Sequence, residues 1–277
     1  MSPEVLRYAA FTDHGRGGNP AGVVLDAHSL TGAQMLTVAR TIGYPETAFV
    51  TGRGTVRFFS PAAEIAFGEH ATVAAAFALA ERSGPGRRRL TTRRGAITVT
   101  TRVEDGDLVA SLISPPATTR PLGEGLLHEL LDALRWRPEH LDPHFPVHVA
   151  YAGSKHVIVA AGAPETLDRP DHDLPALARL MRREGWSSPH LFRAEGATSF
   201  HASGAFPATV GAAAAFGGYL RELGLVPVPT RVIVRQGHDT GSPSRLLIDL
   251  DNGTAGVRVS GHAARIPLSP YDIEEGD

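Results

Sequence analysis

The sequence contains no cysteine. That absence removes disulfides, thiolate metal sites and every cysteine-nucleophile mechanism. Lysine is almost missing as well: of 27 Lys and Arg residues, Lys155 is the single lysine, which leaves 26 arginines. Ser154 precedes it and His156 follows, so a GK[ST] phosphate loop is impossible. A Schiff-base enzyme would have to use this one amine. Charge of one sign does not prevail either, since 29 Asp and Glu leave a formal net charge of -2. A near-neutral chain lacks the basic footprint of a nucleic-acid binder. Long hydrophobic runs are missing too, and the longest weakly polar stretch, Val210 to Leu220, is about half a bilayer span and rich in Ala and Gly. The N-terminal apolar stretch Val5 to Phe11 is broken by Arg7 and lacks the basic and apolar regions of a signal peptide. The expectation is a cytoplasmic protein with neither nucleic acid nor membrane as partner.

What is present is an ordinary globular mixture: 277 residues, 42% hydrophobic and 20% charged. That length suits one large domain or two lobes, each able to bury a core. Strand-like signals recur at 5–11, 21–25, 47–50, 55–60, 88–92, 96–103 and 108–114, with Asp105-Gly106 as a turn. Further strands are expected near 147–151, 155–161, 188–192, 197–202, 230–235, 244–250 and 256–260. Helical patterns are fewer: Thr31 caps one through Ile42, and others cover 70–81, 124–134, 173–183 and 208–223. The order is not a regular βαβ alternation, so the fold class is α+β. The stiff segment Ser114-Pro115-Pro116-Ala117 divides the chain into an N-terminal lobe, 1–116, and a C-terminal lobe, 117–261, with 262–277 as a possible completion of the first. Ala71-Thr72-Val73-Ala74-Ala75-Ala76 lines up with Ala208-Thr209-Val210-Gly211-Ala212-Ala213, 137 residues on. Small side chains on every face suit a helix enclosed by other backbone. A pair of such helices implies pseudo-symmetric lobes whose helix N-termini face one cleft and suit a small carboxylate ligand.

Several chemistries are excluded by spacing. The 13 histidines invite a metal reading, yet His140 and His144 stand in a Pro-rich stretch and no HExxH pattern occurs, so no metal is expected. Gly15-Arg16-Gly17-Gly18 lacks the full G-x-G-x-x-G and opens no helix, and no G-x-S-x-G elbow is present. Two other residues remain. Glu46 starts an apolar strand, where desolvation raises a carboxyl pKa toward the range useful for carbon acid/base work. His70 stands at the start of an Ala-rich helix, whose N-terminus favours the neutral ring.

These segments resemble the PhzF-like family of phenazine biosynthesis, in the diaminopimelate epimerase fold. Gly17-Gly18-Asn19-Pro20-Ala21-Gly22-Val23-Val24 looks like its first loop and strand, and Pro45-Glu46-Thr47-Ala48-Phe49-Val50 is similar to its S-E-T-A-F-V. Phe58-Phe59-Ser60-Pro61 resembles F-F-T-P, and Glu64 to Thr72 resembles E-I-P-L-C-G-H-A-T. Weaker similarity continues through Lys155-His156-Val157 to Pro207-Ala208-Thr209, where the family has D-P-A-T-G. The resemblance implies two lobes, each a curved, mostly antiparallel sheet around a central helix, with the site between them. It also implies a cofactor-independent isomerase and a homodimer. The family's glutamate, matching Glu46, moves a proton along a conjugated substrate, supported by the histidine matching His70 and by backbone amides at both helix N-termini.

Departures from the pattern are informative. The family aspartate is Phe206 here, the glycine after P-A-T is Val210, and the glycine before the histidine is Glu69. In the cysteine-using racemases of the fold the thiols match Gly68 and Pro207, which excludes a two-thiol mechanism. The expected site is therefore Glu46 as acid/base with His70 as partner, and Glu69 as a replacement acid pointing inward. The amides of Glu69, His70, Val210 and Gly211 would cradle a substrate carboxylate, and Asn19 would border the cleft. The expected reaction shifts a proton or double bond in a small unsaturated amino or carboxylic acid of specialised metabolism. C–C bond hydrolysis on the same scaffold, and a non-catalytic binding or protection protein, are the alternatives.

Overall fold

The structure is a computed structural model that describes residues 3–267 apart from 53, 170, 207, 208 and 239. The chain divides into two compact units, Met1–Ser111 with Gly261–Asp277, and Leu112–Ser260. The division falls five residues before the expected boundary at 116, and Ser114 and Ala117 are hydrogen-bonded to the 255–257 segment of the second unit. Among the described residues no helix is long and apolar enough to cross a membrane.

In the first unit the chain forms β1 (Leu6–Thr12), β2 (Asn19–Val24), α1 (Gly32–Ile42), β3 (Glu46–Val50), β4 (Val56–Phe59), β5 (Glu64–Ile65), α2 (Glu69–Ser83), β6 (Gly86–Thr92), β7 (Gly95–Glu104) and β8 (Asp107–Ile113), whose Leu112 and Ile113 belong to the second. The second unit adds β9 (Thr118–Pro121), α3 (Glu124–Leu134), β10 (His148–Tyr151), β11 (Lys155–Ala160), α4 (Pro164–Leu167), α5 (Leu174–Glu184), β12 (Ser188–Ala194), β13 (Ser199–Ala202), α6 (Val210–Glu222), β14 (Thr230–Gln236) and β15 (Ser244–Leu250). The last strand, β16 (Arg258–Arg265), begins in the second unit and from Gly261 belongs to the first.

In the first unit the strands run β5-β4-β3-β2-β1-β16, with β2 and β3 parallel and the other pairs antiparallel. Strands β6, β7 and β8 form a meander in which Asp105 and Gly106 both take positive φ, the two-residue turn expected for Asp-Gly. The second unit orders its strands β16-β15-β14-β13-β12-β11-β10-β9, with parallel pairs β11–β12 and β13–β14. This is a mixed α+β architecture with few helices.

Each unit is built on one helix without an amphipathic stripe. Ten residues of α2, His70 to Ala78 and Ala80, are buried, and the helix packs on β1, β2, β3 and β7. Residues Val210 to Leu220 of α6 are all buried against β9, β10, β11, β12 and β15. At the closest approaches of α6 there is no room for a side chain: a Cβ on Gly217 would lie 2.6 Å from Ile248 Cγ2, and one on Gly218 would collide with Ala117. Outer helices follow ordinary amphipathic logic. Helix α1 is closed by a Thr31–Gln34 capping box and a left-handed Gly43, and buries Met35 and Ala39 with Phe49 and Phe59.

Among the described residues, β5, β9, α4 and a short 3-10 turn at Pro138–His140 lie outside the sequence expectations. The strand expected at 256–260 continues to Arg265 because β1 offers partners from Tyr8 to Thr12. The described starts of α2 and α6 are Glu69 and Val210, 141 residues apart. The hexapeptide match at 137 is thus displaced by four residues, about one helical turn, and its Ala208, like the Pro207 of the thiol comparison, lies outside the described residues.

Candidate active site

Strand β3 lies parallel to β2 with Ala21 opposite Glu46, which sets the glutamate at the first position of the strand. Its carboxyl turns to the N-terminus of α2. Glu46 Oε2 accepts a hydrogen bond from the Ala71 N–H at 3.2 Å and lies 3.1 Å from His70 Nδ1. The His70 side chain is 9% exposed and that of Glu46 18%, so water screens this contact little. Phe58 adjoins Gly68 on the other side and meets Phe67 edge-to-face at 5.7 Å, an apolar wall beside the carboxyl.

Burial sets the electrostatics. Desolvation pushes the Glu46 carboxyl from the ordinary glutamate range up to about 7. The Ala71 N–H pulls the other way, and the charge of Glu69 adds to the rise. Burial also drives His70 down to about 4, opposed by the Pro20 backbone carbonyl. His70 Nε2 is buried and has no hydrogen-bond partner among the described residues. Near neutral pH the ring is uncharged while the carboxyl is divided between acid and anion. A protonated Glu46 can donate to Nδ1, and an ionised Glu46 can accept from an Nδ1–H, so the histidine accommodates both forms.

The other expected residues fall around this pair or in the second unit. Glu69 is the first residue of α2, half-buried, and near enough for its charge to act on Glu46. Asn19 opens β2 opposite Ala10, next to Pro20, and is half-buried. Val210 and Gly211 are the first two residues of α6. Thr209 caps that helix by accepting from the Ala212 N–H at 3.1 Å. Phe206 packs against the second unit's apolar cluster, which includes Leu130, Leu134 and Trp136, and its carbonyl accepts from Gln236 Nε2. Among the described residues, no group of three or more His, Cys, Asp or Glu side chains could hold a metal ion.

Pro20, Phe58, Gly68 and Ala71 adjoin the site without having been assigned to it from the sequence. One signal was available for Gly68: α2 begins without a Ser, Thr, Asp or Asn in the capping position, which leaves its third amide to some other acceptor.

Comparisons with known proteins place the chain in a family. The family model described as phenazine biosynthesis-like protein, PhzC-PhzF, matches residues 8–267. A Deinococcus radiodurans protein named an uncharacterized isomerase is 33% identical over 281 residues, covering 92% of this chain and 90% of that one. The trans-2,3-dihydro-3-hydroxyanthranilate isomerase of Pseudomonas aeruginosa is 29% identical, with 92% and 94% covered. In fold, the chain is similar to a Bacillus anthracis phenazine biosynthesis protein of the PhzF family, with a TM-score of 0.81 at 22% identity over 95% and 96% of the two chains. A hydroxyproline epimerase from Agrobacterium vitis shares the fold more distantly, with a TM-score of 0.59 at 12% identity over 95% and 90%. The chain therefore belongs to the phenazine biosynthesis-like family, and like the relatives named so it is an isomerase.

Proposed function

We propose that the protein shifts a proton, and with it a double bond, within a small unsaturated amino or carboxylic acid, without a cofactor and in natural-product metabolism. The observation that carries this reading is the Glu46 carboxyl, buried against His70 and tuned to about 7. A group balanced between acid and anion at neutral pH can both take and return a proton. As the anion, Glu46 removes a proton from an allylic carbon; the C–H electron pair becomes the new double bond and the old double bond's pair moves to its far carbon. The carboxylic acid so formed returns the proton there, so atoms and electrons balance with no redox partner. His70 holds the carboxyl in place through both states, and the amides at the start of α2 favour a substrate carboxylate.

The reading is tested in deuterated water with trans-2,3-dihydro-3-hydroxyanthranilate, the compound in the Pseudomonas relative's name, and with a panel of related cyclic unsaturated amino acids. Turnover should place one deuterium on a product carbon, and Glu46→Gln should abolish incorporation while affinity stays within about tenfold, the side chains being nearly isosteric. Undiminished incorporation in the variant would assign the proton transfer to another group. Binding of the panel without any turnover would favour a non-catalytic protein.

A further inference from the structure

We infer that Ser154, His156 and Ser188 form a polar subsite in the second unit, where Ser154 Oγ accepts a hydrogen bond from an amino group of the ligand. The inference extends the reading of the substrate as a small amino acid and rests on it.

The two units repeat one strand plan. In the first, β1 and β2 are antiparallel, β2 and β3 parallel, and β3 and β4 antiparallel. In the second, β10, β11, β12 and β13 follow the same succession of directions. Each central helix packs on the first three of its strands. Glu46 opens β3 opposite Ala21, and Ser188 opens β12 opposite His156. Ser188 is thus the second unit's counterpart of Glu46. Ser154, two residues before His156, is likewise the counterpart of Asn19, two residues before Ala21. The direction of the helix agrees. Tyr219, late in α6, donates to the Pro146 carbonyl ahead of β10, whereas His156 pairs with Ala150 further along that strand. His156 therefore lies toward the N-terminus of α6, as Glu46 lies at that of α2.

The chemistry at this position is different. His156 is buried and both ring nitrogens are engaged: Nε2 lies 2.9 Å from Ser154 Oγ, and Nδ1 lies 3.1 Å from Ser188 Oγ. Burial drives the ring down to about 4, so near neutral pH it carries one N–H and one bare nitrogen. The Ser188 backbone carbonyl also approaches the ring, and a carbonyl can only accept. That assigns the N–H to Nδ1, on the Ser188 side, and leaves Nε2 as an acceptor. Ser154 must then give its hydroxyl proton to Nε2. A serine hydroxyl ordinarily rotates between donating and accepting, and the histidine removes that freedom. The Ser154 oxygen is half-buried and has no other partner among the described residues, so what it offers a ligand is lone pairs alone. Such an oxygen receives an N–H or O–H and repels a carboxylate. An amino acid brings the N–H.

The experiment has two parts. Nitrogen-15 NMR of histidine-labelled protein reads the His156 tautomer, and near neutral pH the proton should be found on Nδ1. A proton on Nε2 overturns the inference, because Ser154 would then accept from the ring and offer its own proton outward. Binding is measured by calorimetry with anthranilate and benzoate, which differ in the amino group alone and cannot undergo the proton shift. The parent should bind anthranilate about tenfold more tightly, the worth of one added hydrogen bond. Ser154→Ala should bring the two affinities together by weakening anthranilate alone, and Ser154→Thr, which keeps the hydroxyl, should retain the preference. Equal affinities in the parent, binding of neither compound, or a preference that survives Ser154→Ala overturns the inference. An intact preference without deuterium incorporation from the dihydro substrates would count against the proton shift and leave the subsite standing.

Discussion

Replacing Glu46 by Gln should make the first unit more stable at alkaline pH, and this can be measured without knowing the substrate. The folded protein holds the Glu46 proton with a pKa of about 7, against the 4.5 of an unperturbed glutamate in the unfolded chain. For an acid whose folded pKa is raised, both states are protonated below 4.5. As pH rises from 4.5 through 7, the unfolded state ionises freely while the folded state resists. Stability is therefore lost across that window and levels off above it. At about 1.4 kcal/mol for each tenfold difference in proton affinity, the loss amounts to about 3 kcal/mol by pH 8. Glutamine does not titrate and can still donate to Nδ1, so the variant should match the parent near pH 4.5 and exceed it by about 3 kcal/mol at pH 8. Other titrating groups are common to both proteins and cancel in the difference. The probe must report on the first unit, and both tryptophans, Trp136 and Trp186, belong to the second. Urea unfolding read by pulse hydrogen exchange of peptides from residues 69–83 meets that need. Parallel stability curves from pH 4.5 to 8 would show that Glu46 titrates normally, and would remove the basis for assigning it proton transfer.

Glu69→Gln is expected to lower turnover by about two to four orders of magnitude, if Glu69 supplies the acid that Phe206 displaces. It should also lower the Glu46 pKa, because the Glu69 charge contributes to its rise; near-normal turnover would leave Glu69 a solvated first-turn residue. In the second unit, burial drives His156 down to about 4 and His190 to about 3, and lowers His148. A base with a depressed folded pKa contributes stability above 6.5 that is lost as pH falls, about 3 kcal/mol for His190 by pH 4. His190→Phe, which keeps a ring beside Phe216 and removes a buried Nε2 that has no hydrogen-bond partner among the described residues, should shift the acid unfolding midpoint, read by tryptophan fluorescence, to lower pH; an unmoved midpoint would exclude His190 as a source of acid lability.

Features decided within three or four residues could be read from the sequence alone. The Thr31–Gln34 cap, the Asp105-Gly106 turn and the all-round small residues of α2 and α6 are local, because a capping bond, a turn and a helix face need no distant partner. The motifs around Glu46 and His70 named both residues and the family. Elements that exist only through their partners could not be read. Strand β9, with its proline and mostly exposed residues, forms because β10 pairs with it, and β16 runs past Ser260 because β1 lies alongside. The contact that tunes the site belongs to this second kind. Glu46 and Ala71 are 25 residues apart, and only the packing of β3 against the start of α2 brings the carboxyl to the amide and excludes water from it. Sequence chose the residues; desolvation and close approach, which depend on what surrounds a group in space, decided their chemistry.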